Sequence, residues 1–188
     1  WQIAGDMLPN ATQEEILATA FFRNPPYTDA GGVIPEEYRI EYILDKTKTF
    51  SKGIIGLTAE CAQCHDHKYD PISQKDYYQL FAFFNSTKEV GYEGDVSVSK
   101  PAKNPILTID DADIKNILSF INKKDTGSLM VSVMGEMDTV RKTYILNRGV
   151  YNEPTTQVSP SALKAVMPFD TINSPRNRLG LAAWTVNK

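Results

Sequence analysis

Both cysteines and both histidines of the chain lie in one short stretch, where two cysteines three positions apart are followed directly by a histidine. The stretch is Cys61-Ala62-Gln63-Cys64-His65. Cys-x-x-Cys-His is the sequence pattern of covalent c-type haem attachment. On one helical turn these residues share a face, so each thiol can bond a vinyl group at one porphyrin edge while the imidazole lies beneath the iron. We therefore predict one covalent haem c, with His65 as the proximal ligand of its iron.

Three other uses of the two cysteines stay open. A tetrahedral zinc site needs four ligands, and His65 and His67 lie too close to the cysteines to act as the usual distant second pair. A thioredoxin-like dithiol would begin a helix after a buried strand, whereas the residues before Cys61 are predicted to be helical. A structural disulfide between Cys61 and Cys64 is the simplest of the alternatives.

The residues that follow the attachment pattern are candidates for tuning the haem or for a second site. His67 cannot easily reach the opposite face of the same ring, so we expect it to bond a propionate, tune the site or ligate another metal. Asp66 and Asp70 are candidates for calcium or for pairing with Lys68, although loop carboxylates are more often solvated. The sixth iron ligand is left open, and a methionine there would raise the potential, although most methionines are core filler. The candidates are Met7, Met130, Met134, Met137 and Met167.

Three helices are predicted to enclose the haem, over residues 12–22, 35–60 and 73–84. Capping patterns precede the first and the third helix, at Thr12 and Ser73. Pro35 suits the first turn of the second helix, whose apolar stripe runs at helical spacing into Cys61. Residues 1–90 are therefore predicted to form a cytochrome-c-like helical module.

The composition changes in the second half of the chain. Residues 86–109 contain glycine, serine, lysine and proline without a helical period and are predicted to be a linker. The remaining patterns predict a helix over 110–122, strands that could pair over 130–134 and 143–151, an irregular stretch over 152–172 and a last helix from Ser174 onward. Residues 91–188 are therefore predicted to be a linker and the start of a second, incomplete α+β module, and the chain as a whole to be mainly α.

Composition narrows the function classes. The 188 residues carry a net charge of −3 at pH 7 without a Lys/Arg run, which argues against nucleic-acid binding. No apolar run is long enough to span a membrane, and no signal peptide is visible. Because the chain begins and stops within helical patterns, we expect it to be a piece of a longer protein. No nucleophilic triad or phosphate-binding glycine loop is found.

Several segments carry a resemblance to a known family. They are Asp6 to Thr12, Gly31 to Arg39, Gly56 to Thr58 and Cys61 to Tyr78. These segments resemble the planctomycete-type cytochrome C proteins, which are large bacterial envelope proteins found also in Bacteroidota. Residues 141–151 and 177–184 look like the opening of the module of unknown function that follows the second cytochrome-type module in that family.

The resemblance implies that Cys61, Cys64 and His65 are haem-attachment positions and that the protein lies in the periplasm or at the cell surface. Attachment of haem c is itself an envelope process. Two features depart from the family: the separate N-terminal cytochrome domain is not in this sequence, and the segment between Asn122 and Met130 is short. Proteins of this kind often sit among genes for polysaccharide breakdown.

Three functions follow as hypotheses. The first is electron transfer through the covalent haem to a redox partner protein, within or outside a larger envelope complex. The second is a haem oxidoreductase in polysaccharide use, with His67 or Asp66 as general acid/base. The third is a haem-free envelope assembly or binding protein whose cysteines form a disulfide or are an inherited relic. Whether the protein is an enzyme is left open by the sequence.

Overall fold

The structure, a computed structural model, describes residues 1–94, 102–109, 112, 116 and 129–186. Its α-helices are α1 (Gln13–Ala18), α2 (Pro35–Thr49), α3 (Gln74–Phe81) and α4 (Arg178–Val186). Its strands are β1 (Ile106–Ile109), β2 (Leu129–Ser132), β3 (Thr143–Leu146) and β4 (Pro154–Val158). The helix predicted over 110–122 lies outside the described residues except for Ala112 and Asn116, which are helical.

The fold class is α+β, so the prediction of a mainly α chain is wrong. In the described ranges, β1 pairs antiparallel with β2 and β3 pairs antiparallel with β4, each pair forming a two-stranded sheet. β1 and β4 come from the segments predicted to be linker and irregular, and the predicted pairing of 130–134 with 143–151 does not form. β1 and β4 show too little alternation to be recognised as strands, and the pairing of all four strands depends on distant partners.

The long helix predicted over 35–60 ends early. α2 stops at Thr49, and a π-helical turn, Phe50–Ile54, follows it. Gly56 then adopts a φ of +69°, a left-handed conformation that few residues other than glycine accept and that turns the chain away from the helix axis. Residues 56–59 are consequently non-helical, and the cysteines are not carried on the end of α2.

The capping patterns and the proline that predicted the helix starts are confirmed. Thr12 and Glu15 form a reciprocal capping box at the start of α1, and Ser73 and Asp76 form another at the start of α3. Pro35 occupies the first turn of α2. Each start places a helix within reach of its neighbours, and α2 packs directly against α3.

One hydrophobic core joins the first and second halves of the chain. Its centre is aromatic: the Phe84 ring lies 5.4 Å from the Phe22 ring and 6.2 Å from the Phe50 ring. Residues from α3, β3, β4 and α4 belong to the same cluster, including Tyr78, Phe81, Leu146, Val158 and Leu181. The two segments predicted as separate modules therefore bury side chains against each other.

Buried charges tie distant parts of the chain together. Arg178 in α4 is fully buried and its guanidinium contacts the carboxylates of Asp6 and Glu136. Such pairs make loss of either partner costly, because the remaining charge stays buried. No helix within the described ranges is long and apolar enough to cross a membrane, in agreement with the sequence prediction.

Candidate functional site

The two cysteines lie on a 3₁₀ turn, Glu60–Gln63, that Cys64 ends. The Cys64 backbone N–H donates to the carbonyl of Cys61 at 3.4 Å. A 3₁₀ turn has three residues per turn, so positions three apart lie above one another on the same side. Ala62 between them is fully buried and anchors the turn to the core, while both cysteines are exposed free thiols. The turn thus presents both thiols to solvent on one side.

His65 follows the turn and is exposed. Its Nδ1 lies 2.8 Å from the backbone oxygen of Asp66. A carbonyl oxygen only accepts hydrogen bonds, so Nδ1 carries the proton and Nε2 keeps its lone pair. Histidines that ligate metals usually hold their second ring nitrogen in this way. The imidazole is therefore oriented with Nε2 as the nitrogen available for ligation.

Two side chains of α3 hold the cysteine turn by donating hydrogen bonds to one of its backbone carbonyls. The carbonyl of Gln63 accepts hydrogen bonds from the Gln74 amide and from the Tyr78 hydroxyl, both at 3.1 Å. The Gln74 amide nitrogen also donates to the Leu146 carbonyl at 3.2 Å, which links the turn to β3. Burial raises the pKa of Tyr78, and the neighbouring Cys64 thiol adds to this shift, so the hydroxyl stays a proton donor.

The hairpin between β3 and β4 covers one side of Cys64. Its loop contains Arg148 and Gly149 in left-handed conformations, with φ of 50° and 78°. A β-carbon added at Gly149 would lie 3.2 Å from Cys64 Sγ and 3.0 Å from the Gln63 amide nitrogen. Sequence reasoning included Gly149 in the family resemblance but missed its contact with the cysteine, as it missed Gln74 and Leu146. The glycine in a hairpin loop was the one available signal.

His67 closes the loop that follows the turn. Its side chain is 8% exposed, and its Nδ1 accepts hydrogen bonds from the backbone N–H groups of Asp70 at 2.9 Å and Tyr69 at 3.3 Å. The Asp70 carboxylate lies 3.2 Å from the same nitrogen. Because Nδ1 already accepts from two N–H groups, we assign it as unprotonated, with the carboxylate as a neighbour rather than a hydrogen-bond partner.

Asp66 contacts the start of α3. Its Oδ1 accepts a hydrogen bond from the Gln74 backbone N–H at 2.7 Å, which satisfies one of the free N–H groups at a helix start. The contacts of Asp66 and His67 therefore give both side chains a structural role in this loop, to which Asp70 contributes its backbone N–H. In the part of the chain that the structure describes, no group of three or more His, Cys, Asp or Glu side chains could hold a metal ion.

The residues present fit the covalent attachment of a haem, but they do not place it inside the cavity beside the turn. Cys61, Cys64 and His65 are exposed and carry the donor atoms that c-type attachment requires. A cavity of about 480 Å³ borders the turn through Glu60 and Gln63, and neither cysteine lines it. The described residues thus supply the bonding groups at the surface, outside this cavity.

The methionines proposed as sixth ligands are partly accounted for by packing. Met134 is buried, with its sulfur 3.8 Å from an Arg178 guanidinium nitrogen. Met7 and Met167 pack against the hydrophobic core. Met130 is 48% exposed on β2. The identity of a sixth ligand stays open.

Comparison with protein families gives a match over the first half of the chain. The family model PSCyt2, described as a protein of unknown function (DUF1549), matches residues 1–89, which include both cysteines and both histidines. No curated protein and no solved structure matches the chain.

Proposed function

We propose that this chain is a c-type haem-binding protein of the bacterial envelope that serves electron transfer. In this proposal Cys61 and Cys64 bond one haem covalently and His65 ligates its iron. One observation carries it: two exposed free thiols on one side of a turn are followed by an imidazole whose Nδ1 is held by a backbone carbonyl. The PSCyt2 match over residues 1–89 and the resemblance to planctomycete-type cytochrome C proteins support it.

Each part of the turn has a task in this proposal. The thiols fix the position of the ring, and the Asp66 carbonyl orients the His65 imidazole and raises its basicity as a ligand. The hydrogen bonds from Gln74 and Tyr78 to the Gln63 carbonyl keep the two cysteines on one side. When bound, the haem would supply one-electron chemistry.

The exposure of the attachment residues favours electron transfer over an enclosed reaction chamber. Cys61, Cys64 and His65 all lie at the surface, so the edge of a group attached to them would be open to a redox partner protein. Location in the periplasm or at the cell surface is part of the same proposal, since haem c is attached outside the bacterial cytoplasm.

The test is covalent haem in protein exported by a host that matures c-type cytochromes. We expect a haem-stained band on a denaturing gel and a pyridine haemochrome spectrum equivalent to one haem per chain. The variant with Cys61→Ser and Cys64→Ser should lose both signals. His67→Asn is the matched control and should keep them, because His67 serves the loop in this proposal. Wild-type protein without covalent haem would overturn it.

One observation favours a second candidate, a haem-free envelope assembly or binding protein. The Gly149 backbone packs beside Cys64, and neither thiol lines the cavity that borders the turn. This candidate predicts an exported wild-type chain that carries no haem and in which the thiols can be alkylated or oxidised to a disulfide. The same gel and spectrum therefore distinguish the two functions.

A further inference from the structure

A cavity of about 480 Å³ lies between α2, the Pro25-Pro26 loop and the turn that carries the cysteines. We call it the tyrosine groove. It is defined by Tyr38, Tyr42 and Tyr77 together with Glu41, Asp45 and Glu60. Its volume is within the range of small-molecule sites, about 300–1,000 Å³. Neither cysteine and neither histidine lines it, so its chemistry is separate from that of haem attachment.

Tyr77 is the most buried polar group of the tyrosine groove. The residue is 1% exposed, and its hydroxyl has no hydrogen-bond partner among the described residues. Burial raises its pKa, and nearby Tyr78, Glu60 and Glu41 raise it further, so the hydroxyl stays protonated. A hydroxyl that the described protein groups leave unpaired is available to hydrogen-bond a ligand in the groove.

Two carboxylates on α2 are also without partners. Glu41 and Asp45 are one helical turn apart, so both lie on the same face of α2. Neither carboxylate makes a hydrogen bond or an ion pair with any other residue that the structure describes. Burial raises the pKa of both groups, the Glu41 shift being increased by Glu37 and the Asp45 shift being opposed by neighbouring lysines.

Glu60 adds a third acidic group from the turn itself. One of its carboxylate oxygens pairs with Lys52, whereas Oε2 is buried without a hydrogen-bond partner. Lys48 is the single lysine that lines the tyrosine groove, and it is exposed. Since Glu60 is paired with Lys52, Lys48 is the lysine of the groove that is left to face Glu41 and Asp45. The three carboxylates still outnumber the two lysines and keep unused hydrogen-bond acceptors.

We propose that the tyrosine groove binds an organic cation, namely a primary ammonium or a guanidinium group. Such a group would donate charged hydrogen bonds to Glu41 and Asp45, which are stronger than neutral ones. The half-buried ring of Tyr38 would add an attraction between the cation and the ring face. An anion would be repelled by the three carboxylates, and an uncharged polyol would leave their charge uncompensated.

The lining of the tyrosine groove suits an aliphatic chain with a charged end. Pro25 and Pro26 form one wall, and their fixed φ angles make that wall rigid. Leu44 contributes apolar surface beside the carboxylates. A diamine, a guanidinoalkylamine or the side chain of lysine or arginine in a peptide has this combination of apolar stem and cationic head.

The experiment is isothermal titration calorimetry on the full chain at neutral pH and low salt, with cadaverine and agmatine as free cations. The peptide acetyl-Gly-Lys-Gly-Arg-Gly-amide tests whether a lysine or arginine side chain of a peptide can be the ligand. The matched uncharged probe is 1,5-pentanediol, which has the chain length of cadaverine. We expect at least one cationic probe to bind and the diol not to bind. Binding of the free amines alone identifies a small-molecule ligand, and tighter binding of the peptide identifies a protein segment.

Three variants and a control assign that binding to the tyrosine groove. Glu41→Gln and Asp45→Asn should each weaken cation binding about tenfold, since each removes a charged hydrogen bond. Tyr77→Phe removes only the unpartnered hydroxyl and should weaken binding less. Glu14→Gln removes an exposed carboxylate of α1 and should leave the affinity unchanged.

Two results would overturn the inference: equal binding of cadaverine and 1,5-pentanediol, or no binding of any cation. In the variants, a loss of affinity in Glu14→Gln equal to that in Glu41→Gln and Asp45→Asn would contradict the assignment of binding to the tyrosine groove, because it would show attraction by net charge alone. Circular dichroism of the near-isosteric variants separates a lost ligand contact from a lost fold. Since no measurement here involves haem, failure of this inference and failure of the proposed function are distinguishable.

Discussion

The backbone of Gly149, in the loop between β3 and β4, packs against the thiol of Cys64 at the end of the 3₁₀ turn, although the two residues are far apart in the chain. A β-carbon at Gly149 would lie 3.2 Å from Cys64 Sγ, closer than such contacts normally come. Gly149 also has a φ of +78°, which side chains other than glycine's adopt at a cost. The hairpin between β3 and β4 therefore depends on glycine at this point for two separate reasons.

Gly149→Ala is expected to destabilise the chain by about 2 kcal/mol, from the left-handed backbone and from crowding against Cys64. The added methyl group should also slow alkylation of Cys64 relative to Cys61. Urea unfolding measures the stability change, and mass spectrometry after brief iodoacetamide treatment measures the relative alkylation of the two thiols.

Gly32→Ala is the matched control. Gly32 has a φ of +82° with nothing within 4 Å of an added β-carbon, so it carries the backbone strain without the contact. Its replacement should cost about 1 kcal/mol and leave cysteine reactivity unchanged. Equal effects of the two substitutions on alkylation would contradict the placement of the hairpin over Cys64.

Asp6→Asn should lower the free energy of unfolding by about 2 kcal/mol, because it leaves the buried Arg178 with Glu136 as its one remaining carboxylate partner among the described residues. The Asp6 carboxylate receives two hydrogen bonds of 2.7 Å from this guanidinium, whose side chain is fully buried. Urea denaturation monitored by tryptophan fluorescence gives the difference.

The control for the ion pair between Asp6 and Arg178 is Lys52→Gln, which removes a surface ion pair. Lys52 pairs with Glu60 at the surface, where the two side chains are 48% and 27% exposed, and such pairs contribute about 0–1 kcal/mol. A loss in Asp6→Asn no larger than that in Lys52→Gln would mean that the contact between the chain ends does not stabilise the fold.

His67→Leu should cost about 1 kcal/mol, because the backbone N–H groups of Tyr69 and Asp70 lose their acceptor. His67→Asn supplies a side-chain oxygen that can accept from the same groups and should cost less. Stability and the rate of proteolysis within residues 66–72 report the difference. If His67 instead ligated a metal or tuned the haem, both substitutions would change the visible spectrum of the haem-loaded protein to a similar extent.

The double variant Glu41→Gln, Asp45→Asn is expected to be more stable than the wild type at pH 7. Burial raises the pKa of both carboxyl groups, so their ionised forms cost stability in the folded chain. This cost is fully present above the raised folded pKa and disappears below the unfolded values of about 4. The gain should therefore vanish in acid, and it should stay below about 1 kcal/mol per site because the side chains are partly solvated.

Unfolding curves of both proteins between pH 3 and pH 8 test this prediction. Glu14→Gln is the reference: Glu14 lies in the first turn of α1, where a negative charge is favourable, so its loss should lower stability slightly. A double variant that is less stable than the wild type at pH 7 would show that the two carboxylates have partners in solution. That result would also weaken the case for a cation site.

The features that could be read from the sequence are those whose causes lie within a few residues. The capping boxes at Thr12 and Ser73 formed as predicted, because each involves side chains and N–H groups three positions apart. The spacing of Cys61 and Cys64 places both thiols on one side of a turn, even though the turn is 3₁₀ rather than α-helical. β2 and β3 were also recognised as strands from alternation alone.

The tertiary structure decided everything that depends on distant partners. It ended α2 before the cysteines, paired β2 and β3 with segments predicted to be irregular, and placed Gly149 beside Cys64. It also gathered carboxylates and tyrosines from α2, α3 and the cysteine turn into one groove. None of this can be read from local periodicity, because packing and strand pairing between residues far apart in the chain outweigh the small free energies of local propensity.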